Sequence, residues 1–266
     1  MQRVKATIVE HERVQPAMWR MAFRWDARAR GLRAARFLML GFPGKTDPLL
    51  PRPFSISDVR DDGDGVVSEI LYKPMGKATQ LMTDLRVGDA VSVLGLLGNG
   101  FPDPAPGKRP VLLAGGIGNA PFAHHVRELL DGPFRERPSD VVLFLAGRTA
   151  SEIWIQPWVR ASGITIVETT DDGTRGEKGR ITEALARRLP SLGAIEGFAC
   201  GPTPMLRALK AMAVEHGFPC HLSTEELMAC GYGVCNACVV EDANRPGTWI
   251  KSCHEGPVFE CREIIP

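Results

Sequence analysis

Four cysteines near the C-terminus have the residue type and spacing to hold an iron–sulfur cluster. Cys230, Cys235 and Cys238 read C-x4-C-x2-C, and Cys253 follows fifteen residues later. This is the plant-type spacing for a [2Fe–2S] cluster, which is held by four thiolates. The spacing therefore predicts a one-electron redox centre.

The residues around these cysteines bear on which metal is held. Gly231 and Gly233 suit a chain that wraps closely around a cluster, because glycine adopts positive φ without strain. A structural zinc site is the alternative, and it would show a second C-x2-C pair or histidines. The only imidazole close by is that of His254. The pattern favours [2Fe–2S], with zinc or unligated cysteines as the alternative.

Three short stretches in the first hundred residues could bind a flavin nucleotide. They are Arg52-Pro53-Phe54-Ser55, Gly76-Lys77-Ala78-Thr79 and Gly98-Asn99-Gly100-Phe101. An arginine and a nearby hydroxyl can together hold a phosphate and a flavin ring edge, and amides before a helix can bind the same diphosphate. Each stretch alone also reads as a surface arginine or a glycine turn. Together they favour a flavin site.

Two further stretches could bind a nicotinamide dinucleotide. Gly115-Gly116-Ile117-Gly118 follows an apolar run and precedes a helical pattern, which is the context of a phosphate-binding turn. Pro121 stands where a strict G-x-G-x-x-G would have its last glycine, and a tight turn without ligand is the alternative. Cys200-Gly201-Pro202 ends a later strand, where open α/β sheets bind ligands. Otherwise Cys200 is a small buried residue.

The elements that must position these groups fall into three parts. Short, turn-punctuated strands predict a small antiparallel β-barrel over residues 1–104, with strands at Val4–Val14, Met18–Trp25, Arg36–Leu40, Phe54–Val59, Val66–Lys73 and Ala90–Leu94 and a helix at Lys77–Asp84. Residues 105–220 alternate buried strands with helices, which predicts an open parallel α/β domain. Its strands are expected at Val111–Ala114, Val141–Ala146, Ile164–Glu168 and Gly197–Cys200, with helices at Phe122–Leu130, Glu152–Arg160, Thr182–Leu189 and Pro204–His216. Residues 221–266 carry the cysteines as a cluster subdomain.

Composition places the chain among ordinary globular proteins. Of 266 residues, 44% are hydrophobic and 24% charged, with a net charge of +1, so nothing favours nucleic acid or a membrane surface. No apolar run approaches the roughly 20 residues that span a bilayer. Seven cysteines, four in a cluster pattern, are typical of a reducing compartment. The expected location is the cytoplasm.

These motifs, taken in order, resemble the ferredoxin–NADP reductase superfamily, and within it the family of dihydroorotate dehydrogenase electron-transfer subunits. The resemblance covers nearly the whole chain. The matching segments are Leu49–Ile56, Leu71-Tyr72-Lys73 with Gly76–Thr79, Leu97–Phe101, Ala114–Pro121, Thr170–Gly173, Cys200-Gly201-Pro202, Ser223–Cys230 and Cys253–Phe259. The chain departs from the family at Ala35-Arg36, Pro51 and Tyr232, which puts the physiological partner more in question than the cofactors.

The resemblance implies a multidomain protein in which the barrel binds FAD, the α/β domain binds NAD, with NADP not excluded, and the tail holds the [2Fe–2S] cluster. It further implies an NAD(P)H-linked oxidoreductase that exchanges electrons with the FMN of a separate catalytic subunit in a hetero-oligomer. Such a subunit serves pyrimidine biosynthesis.

The resemblance also implies roles for single residues. Arg52 would hold the FAD diphosphate, supported by Gly76, Lys77 and Thr79, and Ser55 would lie at the isoalloxazine. Residues 99–101 would lie near the flavin, Gly116, Gly118 and Pro121 would shape the dinucleotide pocket, and Cys200 with Gly201 would lie under the nicotinamide. Cys200 and Ser55 are thus the candidate catalytic residues. Arg148 would pair with a 2′-phosphate or lie solvated in its loop.

Two other functions share some of these features. A standalone reductase that serves a different acceptor would carry every cofactor motif. A non-catalytic redox sensor would need the cluster but no intact nicotinamide site, so the Gly115–Pro121 turn counts against it.

Overall fold

The computed structural model describes residues 3–25 and 32–266, and its first half is a closed barrel. The barrel strands are β1 (Arg3–Gln15), β2 (Met18–Trp25), β3 (Phe37–Gly41), β4 (Arg52–Asp61), β5 (Val66–Tyr72) and β6 (Ala90–Leu97). Their order is β1-β2-β5-β4-β3-β6, every neighbouring pair is antiparallel, and β6 closes on β1. The predicted barrel is confirmed. Residues 1, 2 and 26–31 of that predicted domain lie outside the described residues.

Strand β5 explains how the barrel meets the rest of the molecule. All seven of its residues are buried, because one face packs into the barrel core and the other faces the second domain. Ile70 joins the barrel core, whereas Glu69 on the opposite face bonds to Gln156 of the second domain. Helix α1 (Lys77–Met82) follows and buries Met82 in the barrel core. It ends two residues before the predicted Asp84.

The second half is built on a seven-stranded sheet. Its elements are β7 (Arg109–Gly115), a 3-10 turn (Gly116–Asn119), α2 (Phe122–Asp131), β8 (Val142–Gly147), α3 (Pro157–Ala161), β9 (Thr165–Thr170), β10 (Glu177–Lys178), α4 (Ile181–Leu192), β11 (Ile195–Cys200), α5 (Thr203–His216) and β12 (Cys220–Ser223). The order is β10-β9-β8-β7-β11-β12-β15, where β15 (Val258–Glu260) comes from the tail. All pairs are parallel except β12 with β15. The predicted α/β sheet is confirmed.

The sheet has a hydrophobic core on each face, which explains its continuous apolar runs. On β7, Leu112 faces the core that includes Phe122 of α2, and Leu113 faces the core that includes Leu185 of α4. The longest helix, α5, has 14 residues. None of the helices in residues 3–25 and 32–266 is long and apolar enough to cross a membrane.

The predicted helix over Glu152–Arg160 is wrong for most of its length. A 3-10 turn covers Ala150–Glu152, the chain then extends to Gln156, and only Pro157–Ala161 is helical. Ile153 and Ile155 are both buried in one core, a period-two pattern that suits extended chain. Gln156 precedes a proline and has ψ of 137°, as proline requires of its neighbour.

The C-terminal segment forms a small sheet of its own and also joins the large one. Strands β13 (Val239–Asp242), β14 (Trp249–Lys251) and β16 (Ile264–Ile265) pair in the order β14-β13-β16. Strand β15 pairs with β12, so strand pairing crosses the predicted boundary after residue 220. The domain limits 1–104, 105–220 and 221–266 therefore stay a prediction.

Candidate functional site

A cleft of about 830 Å³ lies where the barrel, the α/β sheet and the cysteine segment meet. The barrel contributes the first wall: Phe37, Leu50, Arg52, Pro53, Phe54, Ser55, Leu71, Tyr72, Lys73, Met75 and Thr79. The sheet contributes Ile117, Gly118, Ala120, Pro121, Cys200 and Ser223, and the tail contributes Thr224, Glu225, Glu226, Leu227, Met228, Ala229, Ala237 and Pro257. Eleven of the predicted site residues thus come together: Arg52, Pro53, Phe54, Ser55, Leu71, Tyr72, Lys73, Thr79, Gly118, Pro121 and Cys200.

The barrel wall presents a cation and an aromatic surface to the cleft. Arg52 begins β4 and donates to the carbonyl of Leu50 at 2.7 Å. Phe54 packs edge-on against Tyr72, with ring centroids 6.4 Å apart. A cationic guanidinium beside aromatic rings suits a ligand with both an anionic and a planar part.

Tyr72 is fixed by a histidine behind it. His11 Nδ1 lies 2.8 Å from the carbonyl oxygen of Leu85, so Nδ1 carries the proton. His11 Nε2 then accepts from the Tyr72 hydroxyl, also at 2.8 Å. Burial raises the pKa of Tyr72 above its ordinary value, so the phenol stays neutral and its orientation is set.

Of the stretch predicted to support a diphosphate, only Thr79 lines the cleft. Its hydroxyl accepts from the amides of Met75 at 3.0 Å and Gly76 at 3.1 Å, which shapes the loop before α1. Lys77 forms an ion pair with Asp47 on the surface, and Ala78 is buried in the helix. Gly76, Lys77 and Ala78 do not line the cleft.

Lys73 connects the two domains at one end of the cleft. Its Nζ lies 3.0 Å from Glu152 Oε1, and it lies beside Gly116, since a Cβ built there would be 3.8 Å from Nζ. Arg148 donates to the same carboxylate at 2.7 Å. The hydrogen bond from Arg148, together with Lys73, lowers the pKa of Glu152 to about 2. Arg148, predicted to meet a 2′-phosphate or lie solvated, is therefore already paired.

The α/β wall depends on a close approach between two turns. A Cβ at Gly118 would lie 2.3 Å from the carbonyl oxygen of Cys200, so only glycine lets the turn after β7 touch the end of β11. Gly118 and Pro121 reach the cleft. Gly115, Gly116, Gly201 and Pro202 do not line it; Gly115 and Gly201 pack against each other and Met205 beneath it.

Cys200 presents a neutral thiol at the floor of the cleft. Burial and the nearby carboxylate of Glu225 raise the pKa of Cys200 to about 12. At neutral pH it is therefore a small, soft, uncharged surface, which suits contact with a planar ring better than nucleophilic attack.

The third wall was not predicted as a site. Residues Ser223 to Ala229 leave the carboxyl end of β12 and run along the cleft. The sequence held a usable signal, because ligands bind at the carboxyl ends of parallel strands. The segment matched the family motif but received no role.

Asn99, Gly100 and Phe101 do not line the cleft, although they were expected near the flavin. The Asn99 side chain bonds to the backbone of Glu255 and Val258. Phe101 is 1% exposed and stacks on Phe122 in the α/β core. A Cβ at Gly100 would lie 2.4 Å from the Arg33 side chain. These residues join parts of the fold.

The cysteine loop is shaped by its glycines and by amide–sulfur contacts. Gly231 and Gly233 have φ of 82° and 87°. A Cβ at Gly231 would lie 2.6 Å from Met39 of the barrel, so the loop is pressed against β3. The Gly233 amide donates to Cys253 Sγ at 3.1 Å. Amides directed at sulfur are what a thiolate-bound cluster requires.

The four thiols form two pairs. Cys230 and Cys235 are free thiols joined by hydrogen bonds. The backbone N–H of Cys253 donates to Cys238 Sγ at 3.4 Å. Burial raises the pKa of Cys230, but hydrogen bonds from the amides of Tyr232 and Cys235 outweigh it and bring that pKa to about 6. Burial and Cys238 raise the pKa of Cys253 to about 12.

The two thiol pairs match the ligand number of a [2Fe–2S] cluster. The described residues hold no group of three or more His, Cys, Asp or Glu side chains arranged around a single ion. A [2Fe–2S] cluster has two irons and four thiolate ligands, so two pairs of thiols fit it.

The cleft and the cysteines share a wall. Phe37 and Met228 line the cleft, and they also belong to the group of packed hydrophobic side chains that contains Cys238 and Cys253. Ala237, next to Cys238, lines the cleft as well. A group bound in the cleft is thus separated from the cysteine pair by side chains only.

Comparison with known proteins places this arrangement in a family. A model described as the iron-sulfur cluster binding domain of dihydroorotate dehydrogenase B matches residues 225–265, and one described as an oxidoreductase NAD-binding domain matches residues 112–211. The chain is 33% identical to the dihydroorotate dehydrogenase B (NAD(+)) electron transfer subunit of Bacillus velezensis over 99% of both chains. It is 38% identical to that of Bacillus caldolyticus over 86% of both.

Solved structures share the fold. A chain of the NADH-dependent reduced ferredoxin–NADP oxidoreductase superposes with a TM-score of 0.83 at 22% identity, covering 98% of this chain and 89% of that one. A cytochrome P450 reductase of Amycolatopsis gives 0.64 at 26% identity over 80% of this chain and 66% of that one. With relatives at these identities over nearly its whole length, the chain belongs to the family of dihydroorotate dehydrogenase B electron transfer subunits.

Proposed function

We propose that this chain is the reductase subunit of a dihydroorotate dehydrogenase, relaying electrons between NAD(H), FAD, a [2Fe–2S] cluster and the FMN of a catalytic subunit. The observation that carries the proposal is the wall of Phe37, Met228 and Ala237 shared by the cleft and the cysteines. This shared wall places the cleft, where flavin and nicotinamide would exchange two electrons, next to the cysteines, where a cluster would carry one electron at a time. When bound, the cofactors supply the hydride and single-electron chemistry.

The barrel wall would bind FAD. Arg52 would pair with the diphosphate, and Thr79 holds the loop that lies beside it. Phe54, Ser55 and Tyr72 would surround the isoalloxazine, with Tyr72 held by His11. A cleft of about 830 Å³ is in the range of cofactor pockets.

The α/β wall would bind the nicotinamide dinucleotide. Gly118 and Pro121 shape the turn at the end of β7, and the neutral Cys200 thiol would lie against the nicotinamide ring. Both sit at carboxyl ends of parallel strands, where such ligands bind. NADP carries a 2′-phosphate that NAD lacks, and Arg148 is the cation that could bind it. Because Arg148 already pairs with Glu152, as Lys73 does, this end of the cleft favours NAD over NADP.

Cys230, Cys235, Cys238 and Cys253 would hold the cluster. The amides of Gly233, Tyr232 and Cys235 stabilise thiolates there. All seven cysteines are free, which is consistent with a reducing cytoplasm.

Reconstitution with the catalytic subunit tests the proposal. Mixed with a dihydroorotate dehydrogenase catalytic subunit, the purified chain should form a stable complex and support dihydroorotate-dependent reduction of NAD. If the chain reduces its own cofactors with NADH but neither binds nor serves that subunit, a reductase for another acceptor replaces the proposal. If NADH does not bleach a bound flavin at all, the hypothesis of a non-catalytic redox sensor replaces the proposed relay.

A further inference from the structure

The turn that follows β6 interlocks with the turn that precedes β15. The backbone N–H of Asn99 donates to the carbonyl of Gly256 at 2.6 Å. The Asn99 side chain donates to the carbonyls of Glu255 at 3.0 Å and Val258 at 2.8 Å, and it accepts from the Val258 amide at 2.9 Å. Four hydrogen bonds therefore join one barrel residue to one short segment of the tail.

The neighbouring glycine makes this contact close. Gly98 has φ of 65°, and a Cβ there would lie 2.6 Å from Pro257 Cδ and 2.9 Å from the Phe37 ring. The barrel turn therefore touches the tail segment and one residue of the shared wall together.

The tail segment that Asn99 holds, residues 255–258, lies between the cleft and the cluster cysteines. It starts two residues after Cys253, the last cluster cysteine, and it includes Pro257, which lines the cleft. Its position thus sets where Cys253 sits relative to whatever the cleft holds.

Only a primary amide satisfies this set of partners. An asparagine side chain has two N–H donors on one nitrogen and an acceptor oxygen, and here both donors and the oxygen are engaged with the backbone. A carboxylate would face two carbonyl oxygens with no proton to donate. Since both N–H groups are taken, Asn99 has no free N–H donor for a cofactor.

We propose that Asn99 is a positioning residue for the one-electron step, fixing the Cys253 segment relative to the flavin cleft without acting on the hydride step. The inference rests on the proposed relay. Electron transfer between two sites slows steeply with their separation, so loosening this clamp should slow the transfer from flavin to cluster. The hydrogen bonds of Asn99 go to Glu255, Gly256 and Val258. None of these is a residue proposed to meet the flavin or the nicotinamide, so the hydride step should be affected less than the one-electron step.

A second amide, buried where Asn99 is exposed, offers a comparison at another junction with the barrel. Gln156, 4% exposed, donates to Ser57 Oγ at 2.7 Å and Glu69 Oε1 at 2.5 Å. It joins the α/β domain to the barrel as Asn99 joins the tail to the barrel. Loss of the Gln156 clamp should therefore slow the hydride step.

The test uses the flavin- and iron-loaded chain and its Asn99→Asp, Asn99→Ala and Gln156→Leu variants. Anaerobic stopped-flow mixing with NADH separates flavin bleaching from the later reduction of the cluster. We expect both Asn99 variants to bleach within about twofold of the unmodified rate and to reduce the cluster at least about tenfold more slowly. Gln156→Leu should slow the bleaching instead.

A readout independent of turnover accompanies the kinetics. Hydrogen–deuterium exchange of the peptide spanning residues 255–258 should speed up in the Asn99 variants and stay unchanged in Gln156→Leu. Exchange reports local opening directly, and it locates the lesion in the clamped segment.

Selective slowing of cluster reduction, or loss of iron from a variant whose flavin still bleaches, supports the positioning role. Equal slowing of both steps, unchanged kinetics despite faster exchange at residues 255–258, or loss of both cofactors from both Asn99 variants overturns it. Failure of the unmodified chain to react with NADH would instead refute the proposed relay.

Discussion

At the floor of the cleft, Gly118 and Cys200 depend on each other. The absence of a side chain at Gly118 lets its turn touch the carbonyl of Cys200, and a methyl group there would lie 2.3 Å from that oxygen. Gly118 and Gly201 are buried and Cys200 is half-buried, so neither turn can move aside freely. The lack of a side chain at position 118 therefore determines the shape of the surface on which the nicotinamide is proposed to lie.

Replacing Gly118 with alanine should disturb this floor. We expect Gly118→Ala to lower the free energy of unfolding by about 1–3 kcal/mol through overpacking and to raise the KM for NADH. Denaturant unfolding and steady-state kinetics measure the two effects. Gly41→Ala is the control, because a Cβ there meets only the Pro51 side chain at 3.7 Å; equal effects from both variants would argue against a special role for position 118.

Removing the thiol beside it tests the contact with the ring. Because burial raises the pKa of Cys200 to about 12, the group acts by contact and not by charge. Cys200→Ala should slow flavin reduction by NADH about tenfold, with the same FAD content and no change in the pH profile between pH 6 and 9. Cys220→Ala, which removes a buried thiol outside the cleft, should leave the rate unchanged; a pH-dependent defect in Cys200→Ala would contradict this account.

At the scale of elements, the junction between β5 and the extended stretch before α3 holds the cleft together. Glu152 meets Lys73 from the barrel side and Arg148 from its own loop. Ile153 and Ile155 enter the core, and Gln156 bonds to the outer face of β5. The loop thus works as a brace between domains.

The low pKa of Glu152 gives this brace a pH dependence. A carboxylate with a folded-state pKa of about 2, below its unfolded value near 4.5, stabilises the protein above pH 4.5 and loses that effect as the pH falls toward 2. Glu152→Gln should cost about 1 kcal/mol at pH 7, since Arg148 is largely exposed and screened. Urea unfolding at pH 7, 4 and 3 should show the difference from the unmodified chain shrinking. The exposed Glu136→Gln is the control, and a difference that does not change with pH would contradict the assignment.

The elements differ in how far the sequence could predict them. Barrel strands and parallel strands were predictable because alternation and continuous apolar runs follow from which faces are buried. The stretch before α3 was mistaken for helix because its two buried isoleucines face a core that only the folded chain brings to it. Asn99 was assigned to the flavin because a motif shows that a residue type is present but not which group its side chain meets.

At the scale of the whole molecule, three parts meet around one cleft, and the tail closes it. Strand β15 joins the tail to the sheet, Asn99 joins it to the barrel, and Cys238 and Cys253 pack on β3 and β6. The site is therefore assembled only when residues 221–266 are docked. The spacing of the cysteines predicted the cluster, but it could not show that Phe37 and Met228 would stand between it and the cleft.

The cluster cysteines should be separable by mutation from the flavin and nicotinamide walls. Cys253→Ser removes a buried, proposed cluster ligand. It should lower the iron content while leaving flavin bleaching by NADH intact, because Cys253 does not line the cleft. Iron and FAD analysis together with anaerobic bleaching measure this. Loss of NADH-dependent bleaching along with iron would show that the two sites are not separable.

In the proposed relay, electrons from NADH cross the shared wall from the cleft to the cysteines. An anaerobic NADH titration of the loaded chain, followed by absorbance and by low-temperature electron paramagnetic resonance, tests it most directly. We expect flavin bleaching together with the signal of a reduced [2Fe–2S] cluster in the same titration. Bleaching without any cluster signal, or a chain that holds zinc in place of iron, would contradict it.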